Sequence, residues 1–178
     1  MAFLLSNSHS MDLLKELKSA GKQLSALSGN TFAKGDLFEV LVQRMLPDKE
    51  FAIVHATTRR DDLDGRKIES AKDPDFRVRH RNSNHLFWVE CKYRSEPYQD
   101  KVQWCEKHQL ERYKEFQEKV GREKVYIVIG LGGIASRPTS IYCVPLDEIK
   151  YPGLFLTTLQ PYKHPRNHPF SYVNGRLK

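Results

Sequence analysis

Residues 73–94, DPDFRVRHRNSNHLFWVECKYR, constrain this chain more than any other stretch. Two runs rich in aromatic and β-branched residues, 76–80 and 86–93, flank the polar break Arg81-Asn82-Ser83-Asn84, which has the length and chemistry of a hairpin connection. Antiparallel partners run at constant index sum. Pairing His80 with His85 therefore sets Val78 against Phe87, Phe76 against Val89, Asp75 against Glu90 and Asp73 against Lys92. One face is then apolar, built from Phe76, Val78, Phe87, Val89 and Cys91. The other gathers Asp75, Glu90 and Lys92 beside Trp88 and Arg77.

Carboxylates directly opposed across a strand pair destabilise it, so a purely structural hairpin has little reason to keep Asp75 facing Glu90. A divalent cation between them removes the conflict. Oxygen donors suit Mg²⁺, which takes one or two protein carboxylates and leaves its other positions to water and substrate phosphate. Lys92 points into the same space, where an ammonium orients or activates a water or neutralises charge building on a phosphate. The combination is that of a phosphodiester-cleaving site. A chance cluster of solvated charges on a surface hairpin is the plainer alternative, and the register argues against it.

These residues resemble the PD-(D/E)XK nucleases, the restriction-endonuclease-like superfamily. Pro74-Asp75 is similar to the PD element and Glu90-Cys91-Lys92 to the (D/E)XK element. The resemblance implies that Asp75 and Glu90 bind the metal, that Cys91 lends its backbone carbonyl, and that Lys92 positions or deprotonates the attacking water. It implies two further candidates. Glu39, on a helix ahead of the first strand, resembles an acidic residue that reaches the metal site in some members. Gln109 and Tyr113, four apart on the helix after the ExK strand, resemble a Q-x-x-x-Y element, with Gln109 the preferred catalytic candidate.

At 178 residues, 39% hydrophobic and 29% charged, the chain fits one globular domain with no run long enough to span a membrane. The opening Met-Ala-Phe-Leu-Leu is too short for a signal-peptide core, and Cys91, Cys105 and Cys143 form no paired motif. Buried thiols in a reducing cytoplasm are the expectation. Lys plus Arg exceed Asp plus Glu by 29 to 22, a net charge of +7, which favours a polyanionic partner such as DNA.

Periodicity predicts an amphipathic packing helix at 11–27 after the N-cap candidate Ser10, and a second helix at 31–46 that Pro47 stops. A strand at 51–58 precedes a charged loop at 59–72, whose Arg59, Arg60, Arg66 and Lys67 are placed to meet phosphates. A helix at 100–119 follows, with Val102, Cys105, Gln109, Tyr113, Phe116 and Val120 on one face. The apolar run 125–129 reads as a central parallel strand, 130–133 as a glycine turn without a P-loop pattern, and 140–144 as another strand. Residues 151–178 hold no acid and carry Lys163, Arg166, Arg176 and Lys178, a basic, proline-bearing tail able to lie along nucleic acid. His164 and His168 read as loose surface histidines there.

The expectation is one α/β domain over 1–178: an N-terminal packing helix within 1–30, a restriction-endonuclease-like core at 31–149 with a central mixed sheet flanked by helices, and the tail at 150–178. Its expected function is Mg²⁺-dependent hydrolysis of DNA, with Mn²⁺ substituting, and a homodimer would supply two active sites for double-strand cutting. The alternatives are a nucleic-acid-binding module with a vestigial nuclease site, and an interaction protein that uses the hairpin as scaffold.

Overall fold

The computed structural model describes residues 31–57 and 73–178. The helix expected at 11–27 and the whole charged loop expected at 59–72 lie outside the described residues. In chain order the elements are α1 (Thr31–Arg44), β1 (Phe51–Ala56), β2 (Phe76–His80), β3 (Leu86–Arg94), β4 (Lys101–Gln103), α2 (Lys107–Val120), β5 (Lys124–Ile134) and β6 (Arg137–Pro145). A 3-10 turn (Leu146–Glu148) leads to β7 (Gly153–Phe155), α3 (Leu156–Leu159), β8 (Lys163–His164), β9 (Tyr172–Val173) and β10 (Arg176–Leu177).

The main sheet has the order β1-β2-β3-β5-β6-β8. The chain runs antiparallel from β1 through β3, crosses over by α2 to lay β5 parallel to β3, then returns antiparallel through β6. The run Val125 to Ile129 has no solvent exposure, because its alternating side chains enter two different cores. Tyr126 and Val128 join Phe38 and Val42 of α1 with Phe76, Val78, Phe87 and Val89. Ile127 and Ile129 join Leu110 and Tyr113 of α2 with Trp88, Trp104 and Leu154. A mixed sheet between two helical layers is the α/β architecture expected from the sequence.

The hairpin register is as counted: Phe76 pairs with Val89 and Val78 with Phe87, and His80 N–H donates to His85 O at 2.9 Å. Its second face is not open, however. Trp88 and Glu90 are only 7% and 4% exposed, because α2 covers them. Arg77 grips Glu123 at the start of β5 through two bonds, one of them Nε to Oε2 at 2.9 Å, and Trp88 Nε1 donates to the same oxygen at 2.8 Å.

Other expectations shift. The helix starts at Lys107, not near 100, since Lys101–Gln103 pairs with the distant β7, a partner that local periodicity cannot reveal. The glycines at 130–133 are not a turn. They lie inside β5, where Gly132 and Gly133 take φ of 70° and 65° and the strand continues to Ile134. Gly130 also makes room for α1: an added Cβ would lie 2.8 Å from Phe38 Cδ2 and Cζ. The tail folds back, burying Phe170 and Leu177 against the α1 core, with Phe170 N–H bonded to Met45 O at 2.6 Å. His164 is buried, stacked 4.3 Å from Phe170, with Nε2 bonded to His168 O at 2.9 Å; it is not a loose surface histidine.

Candidate active site

The site forms where β2 and β3 begin to part. Ladder pairs alternate, and His80–His85 is a hydrogen-bonded pair, so the same count makes 75–90 a close non-bonded position and 74–91 a bonded one. Pro74 stands opposite Cys91 and has no N–H to give to the Cys91 carbonyl. Its own carbonyl is taken by Thr57 Oγ1 at 2.6 Å, and Thr57 N–H donates to Asp75 O at 2.9 Å. With the ladder acceptor diverted, Asp75 Oδ2 accepts the Cys91 N–H at 2.7 Å. The first acid is thereby locked onto the strand that carries the second.

Glu90 points toward α2. Tyr113 donates its hydroxyl to Glu90 Oε1 at 2.6 Å, and Lys92 forms an ion pair with that same oxygen. The Lys92 Nζ also lies 5.8 Å from the Tyr113 ring centroid, a cation held against an aromatic face. From the opposite layer, α1 brings Glu39 into electrostatic contact with Asp75 and Glu90. Three carboxylates from three elements thus share one lysine.

The charges record this crowding. Burial, then Glu90 and Glu39, hold the Asp75 carboxyl well above the usual range, and the Cys91 N–H and Lys92 only partly offset them. Burial and Glu90 push Glu39 up to about 7. Burial acts to lower Lys92, but Glu90, Tyr113 and Asp75 outweigh it and hold the ammonium charged. Burial and the Glu90 charge both raise Tyr113, so it remains a phenol donor. Cys91 is a neutral thiol raised by burial, a small filler in the α1 core.

Of the residues expected from sequence, Asp75, Glu90, Lys92, Cys91 and Glu39 come together. Gln109 is engaged elsewhere: its Oε1 accepts the Glu106 N–H at 2.9 Å, closing the first turn of α2. Tyr113, ranked behind it, is the residue that touches Glu90. An acid three residues before a glutamine at a helix start is a capping-box signal and was present in the sequence. Thr57 and Gly130 were not singled out, since their roles depend on tertiary neighbours. Among the described residues no group of three or more His, Cys, Asp or Glu side chains is arranged to hold a metal ion. No described helix is long and apolar enough to cross a membrane.

Fold and site together define an α/β protein with a carboxylate and lysine centre between the strands of a hairpin. No protein-family model matches the chain, and no curated protein matches it. Among solved structures it is similar to Hjc, a Holliday junction resolvase from the archaeal hyperthermophile Archaeoglobus fulgidus, at 16% identity and a TM-score of 0.49 over 74% of this chain and 90% of that one.

Proposed function

We propose that the protein is a divalent-metal-dependent nuclease of the PD-(D/E)XK type that hydrolyses DNA phosphodiester bonds. The observation that carries this reading is the convergence of Asp75, Glu90 and Glu39 on a single lysine, with the Asp75 and Glu39 carboxyls held above their normal range. An excess of negative charge offering only oxygen donors fits a hard cation, which needs no more than two carboxylates from the protein. Asp75 and Glu90 would hold it, with the Cys91 carbonyl as a third oxygen. When bound, such an ion stabilises phosphoryl charge as a Lewis acid and acidifies a water.

The chain's own groups do the rest. Tyr113 and Lys92 fix Glu90 Oε1, so the second carboxylate oxygen is the one proposed as the ligand. Lys92, held charged, stabilises the negative charge that builds on the phosphate, the role of an electrostatic group and not of a base. Glu39 orients the water from the other layer. Hydrolysis adds the water's hydroxyl to phosphorus and its proton to the departing oxygen.

The test is incubation with linear, nicked, branched and single-stranded DNA in Mg²⁺, Mn²⁺ or EDTA. Cleavage in either ion and none in EDTA is expected. Cleavage undiminished in EDTA overturns the mechanism, and DNA binding without cleavage in any ion leaves the nucleic-acid-binding module.

A further inference from the structure

The small sheet that follows β3 carries a second feature which catalysis does not use. Lys101 pairs with Phe155 across β4 and β7, and bridges Tyr98 on its other side through Tyr98 N–H to Lys101 O at 2.8 Å and Lys101 N–H to Tyr98 O at 3.0 Å. Directly opposed antiparallel residues share a face, so Tyr98, Lys101 and Phe155 form a row with neighbours about 5 Å apart. Tyr98 is 76% exposed and Phe155 50%, and the Lys101 Nζ sits 4.7 Å from the Phe155 ring centroid. The reverse face of the same sheet, Val102 and Leu154, is buried in the α2 core. The sheet therefore has an anchored side and a presented side.

Two further observations make the row a rigid one. Gln99 and Asp100 both take left-handed φ, 49° and 58°, which fits the two-residue turn that holds Tyr98 against Lys101. Arg94, two residues beyond Lys92, donates Nε to Gln103 O at 2.6 Å and Nη1 to Tyr93 O at 2.8 Å, tying β4 to the end of the strand that carries Glu90 and Lys92. The row thus leaves the sheet at the end where the candidate active site lies.

We propose that Tyr98, Lys101 and Phe155 form a stacking platform for an unpaired DNA strand, on which one base lies against Tyr98 and a second against Phe155 as Lys101 swings from the Phe155 ring to the phosphate between them. The proposal rests on the nuclease reading for its choice of DNA. Base faces are available to aromatic rings only when the strand is unpaired, whereas a duplex presents phosphates and groove edges, for which exposed rings have no use. Glu96 and Asp100 are exposed on the same segment, so stacking and not net charge supplies the hold.

The test is fluorescence anisotropy of the full chain in EDTA with labelled oligothymidine and with duplex of equal length. Tyr98→Ala and Phe155→Ala are each expected to weaken single-strand binding roughly 5- to 150-fold, the range measured for loss of one stacked base, with duplex binding changed less than about twofold. Tyr98→Phe and Phe155→Tyr, which keep the rings, are expected to bind as the parent does. Equal losses on both DNAs, no loss, or an effect of the ring-preserving variants as large as that of alanine overturns the platform. So does a parent protein that does not bind oligothymidine. Because EDTA suspends cleavage, a platform result stands even if the protein proves unable to cut DNA.

Discussion

Asp75 and Cys91 are joined by one hydrogen bond, from backbone N–H to Oδ2 at 2.7 Å, that replaces the ladder bond Pro74 is too occupied to accept. It serves structure and charge placement at once, and the two separate by substitution. Asp75→Asn keeps an acceptor for the Cys91 N–H while removing the charge that Glu90 and Glu39 repel. It should therefore melt at or above the parent while cleaving DNA more than about 100-fold slower. Asp75→Ala leaves a buried donor unmet and should lose about 1–3 kcal/mol of stability as well. Parent-level cleavage by the asparagine variant would remove Asp75 from the mechanism.

Glu39 gives a pH signature. Its folded value near 7 lies above the ordinary 4.5, so the ionised form is disfavoured by folding. Below about pH 4.5 it is protonated in both states and costs nothing; above about 7 it is ionised in both and the whole penalty is present. Metal-free protein should lose stability from this group as pH rises between those limits, and Asp75 acts in the same direction. His164, lowered mainly by burial, acts oppositely. The readout is therefore the difference in melting temperature between the parent and Glu39→Gln in EDTA. It should widen from pH 5 to pH 7 and shrink when Mg²⁺ is added; a constant difference would place Glu39 away from the acids.

Much of this centre was legible because β-strands have period two and hairpins have a fixed index sum: one pairing, His80 with His85, fixed the positions of Asp75, Glu90 and Lys92. What escaped was whatever depended on a distant partner. Lys101–Gln103 looks helical until β7 is known, and Gly130 to Gly133 looks like a turn until β6 is seen beside it. Period two places Glu90 beside Trp88 and Arg77 on the face opposite the apolar one, but it does not show that a second core covers that face. Trp88 and Arg77 in fact turn their polar tips to Glu123, and α2 packs over Trp88 through Phe116.

Tyr113 spends its hydroxyl on Glu90 Oε1. Tyr113→Phe keeps the ring, its packing on Trp104 and the aromatic face toward Lys92, and deletes only that donor. Glu90 then loses orientation, so kcat should fall about tenfold or more with KM little changed, and stability should drop by about 1–3 kcal/mol. A KM effect without a kcat effect would make Tyr113 a substrate contact instead.

Lys92 is held charged by Glu90 and Tyr113, so its charge and not its basicity is at stake. Lys92→Ala should lower kcat by about 10² to 10³. Lys92→Arg, always protonated, should recover part of that loss, limited by the larger guanidinium. An arginine variant as slow as the alanine one, with DNA affinity intact, would favour proton transfer by Lys92.

Gly130 tests whether helix placement matters to chemistry. A methyl group there meets the ring of Phe38, which precedes Glu39 on α1, and the ring cannot yield without moving the helix, because it is fully buried against Val42 and the sheet. Gly130→Ala should cost about 1–3 kcal/mol as an overpacked site and shift Glu39 away from Asp75 and Glu90. Cleavage should then fall by more than the loss of folded protein explains, and the pH-dependent melting difference assigned to Glu39 should diminish with it. Phe38→Leu in the same background removes ring atoms from the clash and should restore both together. Recovery of stability without recovery of cleavage would separate the helix position from the reaction and leave Glu39 outside the active site.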